Sequence, residues 1–195
     1  MLKKHKKIPR SFYDRPTLEV ARDVLGKELV FHSKARKLSA KIVEVEAYIG
    51  ERDPACHAHR GKTKRNAPLF GKPGFSYVYL IYGMYFCFNL VTEEEGSPAA
   101  LLIRAGHPGQ GIETMHGNSP NKKASQLLNG PGKFCRSFGI DMKQNCLDLT
   151  SDTIYLEDRF VEVEEIVAST RIGIREGRDL RWRFFDRNSD SVSQK

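Results

Sequence analysis

The sequence lacks any apolar run long enough to cross a membrane as a helix, which takes about 20 residues. Its N-terminal stretch, MLKKHKKIPR, also lacks the apolar segment of a secretory signal. The four cysteines are widely spaced and form no CxxC pair, which argues against a disulfide framework and against a zinc ribbon. We therefore expect an intracellular protein with reduced thiols and no membrane contact, cytoplasmic in a prokaryote and nuclear in a eukaryote.

Acidic residues are missing from two long segments. None occurs between Asp53 and Glu93 or between Glu113 and Asp141, although the chain has 24 Asp and Glu in total. Because the net charge is +8, this distribution predicts a single surface that faces a polyanion, although a solvated basic face is the alternative. Both segments keep their basic residues, which are Arg60, Lys62, Lys64, Arg65, Lys72, Lys122, Lys123, Lys133 and Arg136.

Most of the chain has the pattern of short strands, with a few helices between them. Residues 16–25 carry apolar side chains at helical spacing, with Pro16 in the first turn and Gly26 after the last. A second helix is predicted over 133–138, and strands over 27–32, 40–48, 99–105, 153–156, 171–174 and 183–185. This pattern predicts one mixed α+β domain, residues 11–187, between a basic N-terminal tail, 1–10, and a polar C-terminal tail, 188–195.

The strand AKIVEVEAY contains the first candidate for chemistry. Alternation predicts that Val43, Val45 and Ala47 point to one face, and that Glu44, Glu46 and Tyr48 point to the other. A carboxylate beside a ring, in a partly dry site, has the properties of a general base that activates water. An ion-paired strand residue is the alternative interpretation of Glu46, and Glu44 competes with it for the catalytic role.

The polar loop that follows, residues 50–74, is long enough to indicate function. Its segment ACHAHRGKTKRN contains His57 and His59, which raises the possibility of a metal-dependent hydrolase that also uses Glu46. The spacing of these residues is not that of a zinc site. We therefore predict no metal and no cofactor, and interpret the histidine as a hydrogen-bond donor to a ligand.

The segment YVYLIYGMYFCFNLV contains four tyrosines and two phenylalanines and reads as a β-hairpin with its turn at residues 82–84. A large aromatic residue, Tyr82, stands in the turn, where Asn, Asp or Gly is usual. Some proteins use such an exposed ring as a wedge that enters a base stack. Enzymes that act on one base of a duplex extrude that base, and tyrosines inside the site can stack on it.

The segment VEVEAYIGERDPACHAHRGKTKRNAPLFGKPGFSYVYLIYGMYFCFNLV strongly resembles the central region of the alkyladenine, or 3-methyladenine, DNA glycosylase family. SFYDRPTLEVARDVLGKEL, PAALLIRAGHP and NGPGKFCRSFGI extend the resemblance over about residues 11–185. It implies a compact α+β domain with a curved, mainly antiparallel sheet, flanking helices and a protruding hairpin. It also implies a DNA glycosylase that flips damaged purines of the 3-methyladenine, hypoxanthine and ethenoadenine class out of duplex DNA and hydrolyses the N-glycosidic bond, initiating base excision repair.

The resemblance also assigns roles to individual residues. Glu46 would deprotonate and orient the attacking water, and Arg104, from LLIRA, would help to position it. Tyr48 and Tyr79 would stack around the extruded purine, while His57 would close the other side and donate a hydrogen bond.

The remaining roles concern selectivity and DNA contact. Asn89 would exclude the exocyclic amino group of guanine, and Tyr82 would be the intercalating wedge, with Met84 beside it. The partner would be double-stranded DNA containing damaged purines, bound by a monomer. Phosphates would be held by Arg60, Lys64, Arg65, Lys133 and Arg136. The alternative from another class is a non-catalytic nucleic-acid-binding module that uses the aromatic hairpin as a wedge.

Overall fold

The computed structural model describes residues 5–33 and 36–194. The first part of the predicted basic tail, residues 1–4, and the last residue of the predicted polar tail, Lys195, lie outside the described residues. Within the described ranges, no helix combines the length and the apolar composition that crossing a bilayer requires.

Most of the regular secondary structure in the described residues is β-strand, and the helices are short. The strands are β1 (Lys6–Lys7), β2 (Glu28–Ser33), β3 (Arg36–Ile49), β4 (Ser76–Ile81), β5 (Tyr85–Val91), β6 (Ala99–Pro108), β7 (Ile154–Asp158), β8 (Ile166–Ser169) and β9 (Arg183–Asp186). The α-helices are α1 (Arg10–Tyr13), α2 (Thr17–Asp23), α3 (Ile112–Asn118), α4 (Ala124–Leu127) and α5 (Pro131–Phe138). Short 3-10 helices occur at Ala67–Phe70 and Met142–Gln144.

The nine strands of the described residues form one sheet in which neighbouring strands are antiparallel. Seven of them lie in the order β1-β7-β2-β3-β6-β5-β4, while β9 pairs with β3 and β8 pairs with β9. The long strand β3 organises it, because its first half pairs with β2 and its second half pairs with β9 along the same edge, while β6 runs along the other edge. Helices α2 and α5 contribute Val20, Phe134 and Phe138 to the main apolar core. The prediction of a single α+β domain with a mainly antiparallel sheet is confirmed.

The predicted hairpin is confirmed in its position and turn. Strands β4 and β5 pair with Ile81 opposite Tyr85, so that residues 82–84 form the connecting turn. Tyr82 has φ 54° and Gly83 has φ 68°. A positive φ is common for glycine and rare for a bulky residue, so the turn holds Tyr82 in a conformation that few side chains adopt.

The prediction of a strand over residues 171–174 is wrong. The observed strand, β8, ends at Ser169, and the residues after it form an irregular segment. Alternation of Arg171, Ile172, Gly173 and Ile174 imitates a strand, but Gly173 has φ 78°, which turns the chain away from an extended path.

Strand β3 also departs from simple alternation. A bulge between Ile42 and Val45 shifts its register with β6. As a result, Val43 packs in a small cluster with Phe185 and Val192, whereas Val45 and Ala47 belong to the main core. The prediction that all three share one face is therefore wrong for Val43.

The two predicted tails contribute to the packed domain. Lys6 and Lys7 form β1, which pairs with β7. At the other end, Val192 is buried, and the backbone N–H of Ser193 donates a hydrogen bond to Glu44 at 2.7 Å. The polar composition of residues 188–195 gives no sign of these contacts.

Candidate active site

A cavity of about 680 Å³ opens between the hairpin, the loop 50–74 and the N-terminus of α5. Its wall includes the end of β3, the middle of β6 and the irregular segment around Ile172. The predicted site residues that line it are Tyr48, His57, Tyr79, Tyr82, Asn89, Arg104, Lys133 and Arg136. Residues far apart in the sequence therefore meet at one concave surface.

Glu46 lies directly behind this cavity wall and is fully buried. Its Oε2 accepts hydrogen bonds from the hydroxyl of Tyr48 at 2.8 Å and from Nη1 of Arg104 at 3.2 Å. Its Oε1 accepts from the backbone N–H of Ile172 at 2.7 Å. Because all three donors belong to residues that line the cavity, the carboxylate is separated from the cavity by a single layer of groups.

Glu44, the competing carboxylate, is equally buried but is held by a different set of donors. Nε of Arg104 and Nη1 of Arg183 donate to its Oε1 at 3.2 and 2.8 Å. Ser193 donates to both carboxylate oxygens, from its backbone N–H and from its hydroxyl. Since none of these contacts involves Tyr48, Glu46 is the carboxylate that is bonded to an aromatic residue of the cavity wall.

Arg104 joins the two carboxylates through one guanidinium group. Burial disfavours its charge, but the carboxylates of Glu46 and Glu44 outweigh that effect and raise the pKa of Arg104. Arg104 is therefore a fixed cation at the cavity wall, suited to orienting a carboxylate or a polar ligand.

A buried cation packs on the ring of Tyr48. The guanidinium of Arg171 lies 4.7 Å from the ring centre of Tyr48 and 5.3 Å from that of Trp182. Asp53 binds this guanidinium at 2.5 and 2.7 Å. Burial, together with the charge of Glu46, raises the pKa of Tyr48, so its hydroxyl stays protonated and donates to Glu46.

His57 lines the same cavity as Tyr48 and forms an aromatic cluster with Tyr77 and Tyr79. Nδ1 of His57 and the Tyr77 hydroxyl share a hydrogen bond of 2.9 Å, and the rings of His57 and Tyr79 meet edge to face at 4.5 Å. Partial burial and the charge of Arg65 lower the pKa of His57, while burial raises that of Tyr77 to about 12. Both groups are therefore neutral near pH 7, and the imidazole offers one donor and one acceptor.

The position of His57 depends on Asn66, a residue that sequence analysis missed. Nδ2 of Asn66 donates to the carbonyl oxygens of His57 and Gly61 at 2.8 and 2.9 Å. These bonds close the loop on itself and fix the backbone on which His57 stands. An Asn inside a polar loop gives no sequence signal for such a role, because Asn is common in turns.

Asn89 lies on β5 beside the cavity, with its side-chain amide group turned toward the hairpin backbone. Its Nδ2 donates to the carbonyl oxygen of Tyr77 at 2.9 Å. This bond orients the side chain, and Asn89 lines the cavity together with Leu102, which is its neighbour across the strand pair.

The hairpin tip is exposed, as the wedge interpretation requires. Tyr82 is 77% exposed and Met84 is 64% exposed, and Leu80 adds a third apolar side chain. An exposed apolar group of this kind at the rim of a cavity is typical of an interaction site.

The predicted phosphate-binding residues are dispersed around the rim. Lys133 and Arg136 line the cavity, with Arg136 over the ring of Tyr85 at 5.6 Å. Arg65 donates to the carbonyl oxygen of Leu80 at 3.2 Å, close to the tip of the hairpin. Arg60 lines a neighbouring cleft with His59 and Arg175. Lys64 is exposed and lines neither the cavity nor this cleft.

In the part of the chain that the structure describes, no three His, Cys, Asp or Glu side chains stand close enough to hold a metal ion. His57 bonds to Tyr77, and Nδ1 of His59 bonds to the carbonyl oxygen of Glu51 at 2.6 Å. The geometry therefore offers no support for the metal-dependent hydrolase.

The chain is similar to known proteins over nearly its whole length. A family profile described as methylpurine-DNA glycosylase matches residues 11–190. A protein of Methanocella arvoryzae, named as a candidate 3-methyladenine DNA glycosylase, is 53% identical over 193 residues, which cover 96% of each chain. Proteins with the same name from Alkaliphilus oremlandii and Sodalis glossinidius are 46% and 49% identical, over 97% and 91% of this chain and 100% and 95% of their own.

Proposed function

The chain belongs to the methylpurine-DNA glycosylase family, a family of DNA N-glycosylases, and we propose that it hydrolyses the N-glycosidic bond of damaged purines in duplex DNA. The class includes 3-methyladenine, hypoxanthine and ethenoadenine. The observation that carries the proposal is the buried Glu46, which bonds to Tyr48 and Arg104 at the wall of an aromatic cavity. A module that only bound nucleic acid would have no need of a buried acid in this position.

In the proposed reaction, water attacks C1′ of the extruded nucleotide and gives its proton to Glu46. The bond between C1′ and the purine nitrogen breaks, and the base leaves with that electron pair. Because Glu46 has no exposed surface, the water enters between Tyr48 and Arg104 and takes the place of the Tyr48 hydroxyl at Oε2. The fixed charge of Arg104 keeps the carboxylate oriented toward that point.

The rings of Tyr48, Tyr79 and His57 hold the purine in this proposal. Stacking contributes about 1–3 kcal/mol per base and tolerates different bases, which suits an enzyme that accepts several damaged purines. Neutral His57 can donate a hydrogen bond without placing a charge beside an alkylated, cationic purine. Asn89 provides the polar contact at the purine edge that excludes the amino group of guanine.

Release of free base from duplex DNA tests the proposed function directly. We expect the wild-type protein to release base from at least one of three duplexes that contain 3-methyladenine, hypoxanthine or 1,N6-ethenoadenine, in single-turnover assays with and without EDTA. Failure to release base from any of them would exclude the enzymatic proposal and favour the binding module. Loss of release in EDTA would instead implicate a metal.

The exposed ring of Tyr82 is expected to act in flipping the damaged base. Replacing Tyr82 with serine removes a side chain that is 77% exposed, so the melting temperature should change little. The protein concentration needed for half-maximal cleavage should rise about tenfold or more, since a stacked ring contributes about 1–3 kcal/mol. Titration of single-turnover rates measures this concentration.

Tyr82→Phe is the matched control, because it keeps the ring and loses only the hydroxyl. It should behave like the wild type. Equal losses in Tyr82→Phe and Tyr82→Ser would assign the effect to the hydroxyl, and a large fall in melting temperature would make Tyr82 a packing residue.

A further inference from the structure

The C-terminal segment reaches the buried charges behind the cavity wall. The backbone N–H of Ser193 donates to Oε2 of Glu44 at 2.7 Å, and the Ser193 hydroxyl donates to Oε1 at 2.8 Å. Ser193 itself lines the cavity. Its neighbour Val192 is 7% exposed and packs with Val43 and Phe185, which anchors the segment to the sheet.

Ser193 is connected to Glu46 by two routes. It donates to Glu44, and its hydroxyl accepts a hydrogen bond from Nη2 of Arg104 at 3.5 Å. One guanidinium, that of Arg104, donates through Nε to Glu44 and through Nη1 to Glu46, each at 3.2 Å. Arg183 completes the network, because its Nη1 donates to Glu44 at 2.8 Å and to the carbonyl oxygen of Gln194 at 2.9 Å. The C-terminal segment thus contributes donors and an acceptor to the network that holds Arg104.

We propose that Ser193 is a positioning residue for the cleavage step, acting through Glu44 and Arg104 on Glu46. This inference rests on the proposed function, because it assigns to Ser193 the orientation of the carboxylate that activates water. Ser193 does not itself touch the attacking water or the reacting sugar.

The physical argument depends on how Glu44 is satisfied. Its carboxylate is fully buried, and two of its four observed hydrogen bonds come from Ser193. A buried carboxylate that loses donors is stabilised by drawing the remaining cations closer. Arg104 would then move toward Glu44, and its Nη1 would leave Glu46 without the donor that orients Oε2.

Three substitutions at Ser193 distinguish the contributions of its two hydrogen-bond donors, the hydroxyl and the backbone N–H. Ser193→Ala removes the hydroxyl, Ser193→Pro removes both the hydroxyl and the backbone N–H, and Ser193→Thr keeps both. The single-turnover rate at saturating protein should fall about tenfold in Ser193→Ala and about 100-fold in Ser193→Pro, because hydrogen bonds to a charged group are stronger than those between neutral groups. Ser193→Thr should keep the wild-type rate. The protein concentration for half-maximal rate should change less than twofold in all three.

Ser191→Ala is the matched control. It removes a buried hydroxyl two residues away, whose partner is Nδ1 of His107 at 3.3 Å and which makes no observed contact with Glu44. It should leave the rate unchanged, and each variant is used only where its melting curve shows a folded protein. If Ser193→Pro does not fold, the comparison of Ser193→Ala with Ser193→Thr decides.

The outcomes separate this inference from the proposed function. If the wild type releases no damaged base, the proposed function fails. If the wild type is active and folded Ser193→Ala keeps its rate, only the role of Ser193 is refuted. Equal losses of rate in Ser191→Ala and Ser193→Ala would also refute the role of Ser193, because the segment would then act by packing alone. A change in the half-maximal protein concentration without a change in rate would refute it as well.

Discussion

Glu46→Gln is expected to lower the single-turnover rate of base release about 10²–10⁴-fold, the usual contribution of a positioned general base. The amide has nearly the same shape as the carboxylate but cannot take a proton from water. Hypoxanthine is the most informative lesion, since this neutral base leaves poorly and depends most on the attacking water. Binding of the lesion duplex should change far less, because the stacking rings are untouched.

The substitution also has a structural cost that must be separated from catalysis. Glu46 accepts hydrogen bonds at both oxygens, from Tyr48 and Arg104 on one side and from Ile172 on the other. Whichever way the glutamine amide is turned, its NH₂ group meets a donor. We expect a loss of about 1–3 kcal/mol in the free energy of unfolding, which thermal melting will detect.

Glu44→Gln is the matched control, because Glu44 is buried to the same extent and bonds to the same Arg104. As a positioning residue it should lose about tenfold in rate, comparable to the loss of one charged hydrogen bond. A greater loss in Glu44→Gln than in Glu46→Gln would transfer the role of general base to Glu44. Near-normal release by Glu46→Gln would show that neither the proton transfer nor the proposed water position is correct.

The parts of the site that could be predicted from sequence are those set by short-range patterns. The hairpin turn at 82–84 follows from two β-prone runs around a glycine, and the structure places Tyr82 at an exposed tip. Glu46 and Tyr48 stand two residues apart on one strand, so alternation puts them on one face, where they form a hydrogen bond of 2.8 Å. Strand β6 brings Arg104 beside them, because adjacent antiparallel strands align their side chains.

The parts that could not be predicted depend on contacts distant in sequence. Ile172 donates to Glu46 across 126 residues, Arg171 binds Asp53 across 118, and Ser193 binds Glu44 across 149. Arg171, Ile172 and Ser193 lie outside the helices and strands, so no regular pattern reveals which way their side chains and N–H groups point. The sequence pattern of residues 171–174 is that of a strand, and the backbone turn at Gly173 is not evident from it. The contacts of Arg171 and Ile172 could therefore not be predicted.

These distant contacts share one physical property, which is that they satisfy buried charge. Glu44, Glu46 and Asp53 are each fully buried, and each is bonded to at least one arginine. A buried carboxylate without partners is strongly destabilising. Strands β6 and β9 supply Arg104 and Arg183 to Glu44 and Glu46, and the irregular segments supply the remaining donors. The positions of the two C-terminal segments, 171–174 and 191–194, follow from that requirement.

Asp53→Ala is accordingly expected to cause the largest loss of stability among single substitutions at the site. It leaves the guanidinium of Arg171 buried without its carboxylate partner, which typically costs about 3–5 kcal/mol. The backbone N–H groups of Ala55 and Ile49 also lose their acceptor. The melting temperature should fall by roughly 6–20 °C, given about 2–4 °C per kcal/mol for a domain of this size.

The loss should extend to the cavity, because Arg171 supports the ring of Tyr48 and precedes Ile172, the donor to Glu46. Folded Asp53→Ala should therefore also bind the lesion duplex more weakly. Glu165→Ala removes an exposed partner of Arg187 and serves as the control, since surface ion pairs contribute about 0–1 kcal/mol. If both alanine variants melt alike, the Asp53–Arg171 pair is not a stabilising element.

A double substitution distinguishes two causes of lost stability, the unpaired buried charge of Arg171 and the missing hydrogen bonds of Asp53. In Asp53→Ala/Arg171→Met the buried cation is gone, while the methionine keeps an apolar side chain between Tyr48 and Trp182. We expect this double variant to regain a large part of the lost melting temperature, because replacing a whole buried ion pair is far less costly than removing one partner. If the double variant is no more stable than Asp53→Ala, the damage comes from the orphaned N–H groups of Ala55 and Ile49. The acid would then act mainly by closing the loop, and Arg171 would tolerate burial without its partner.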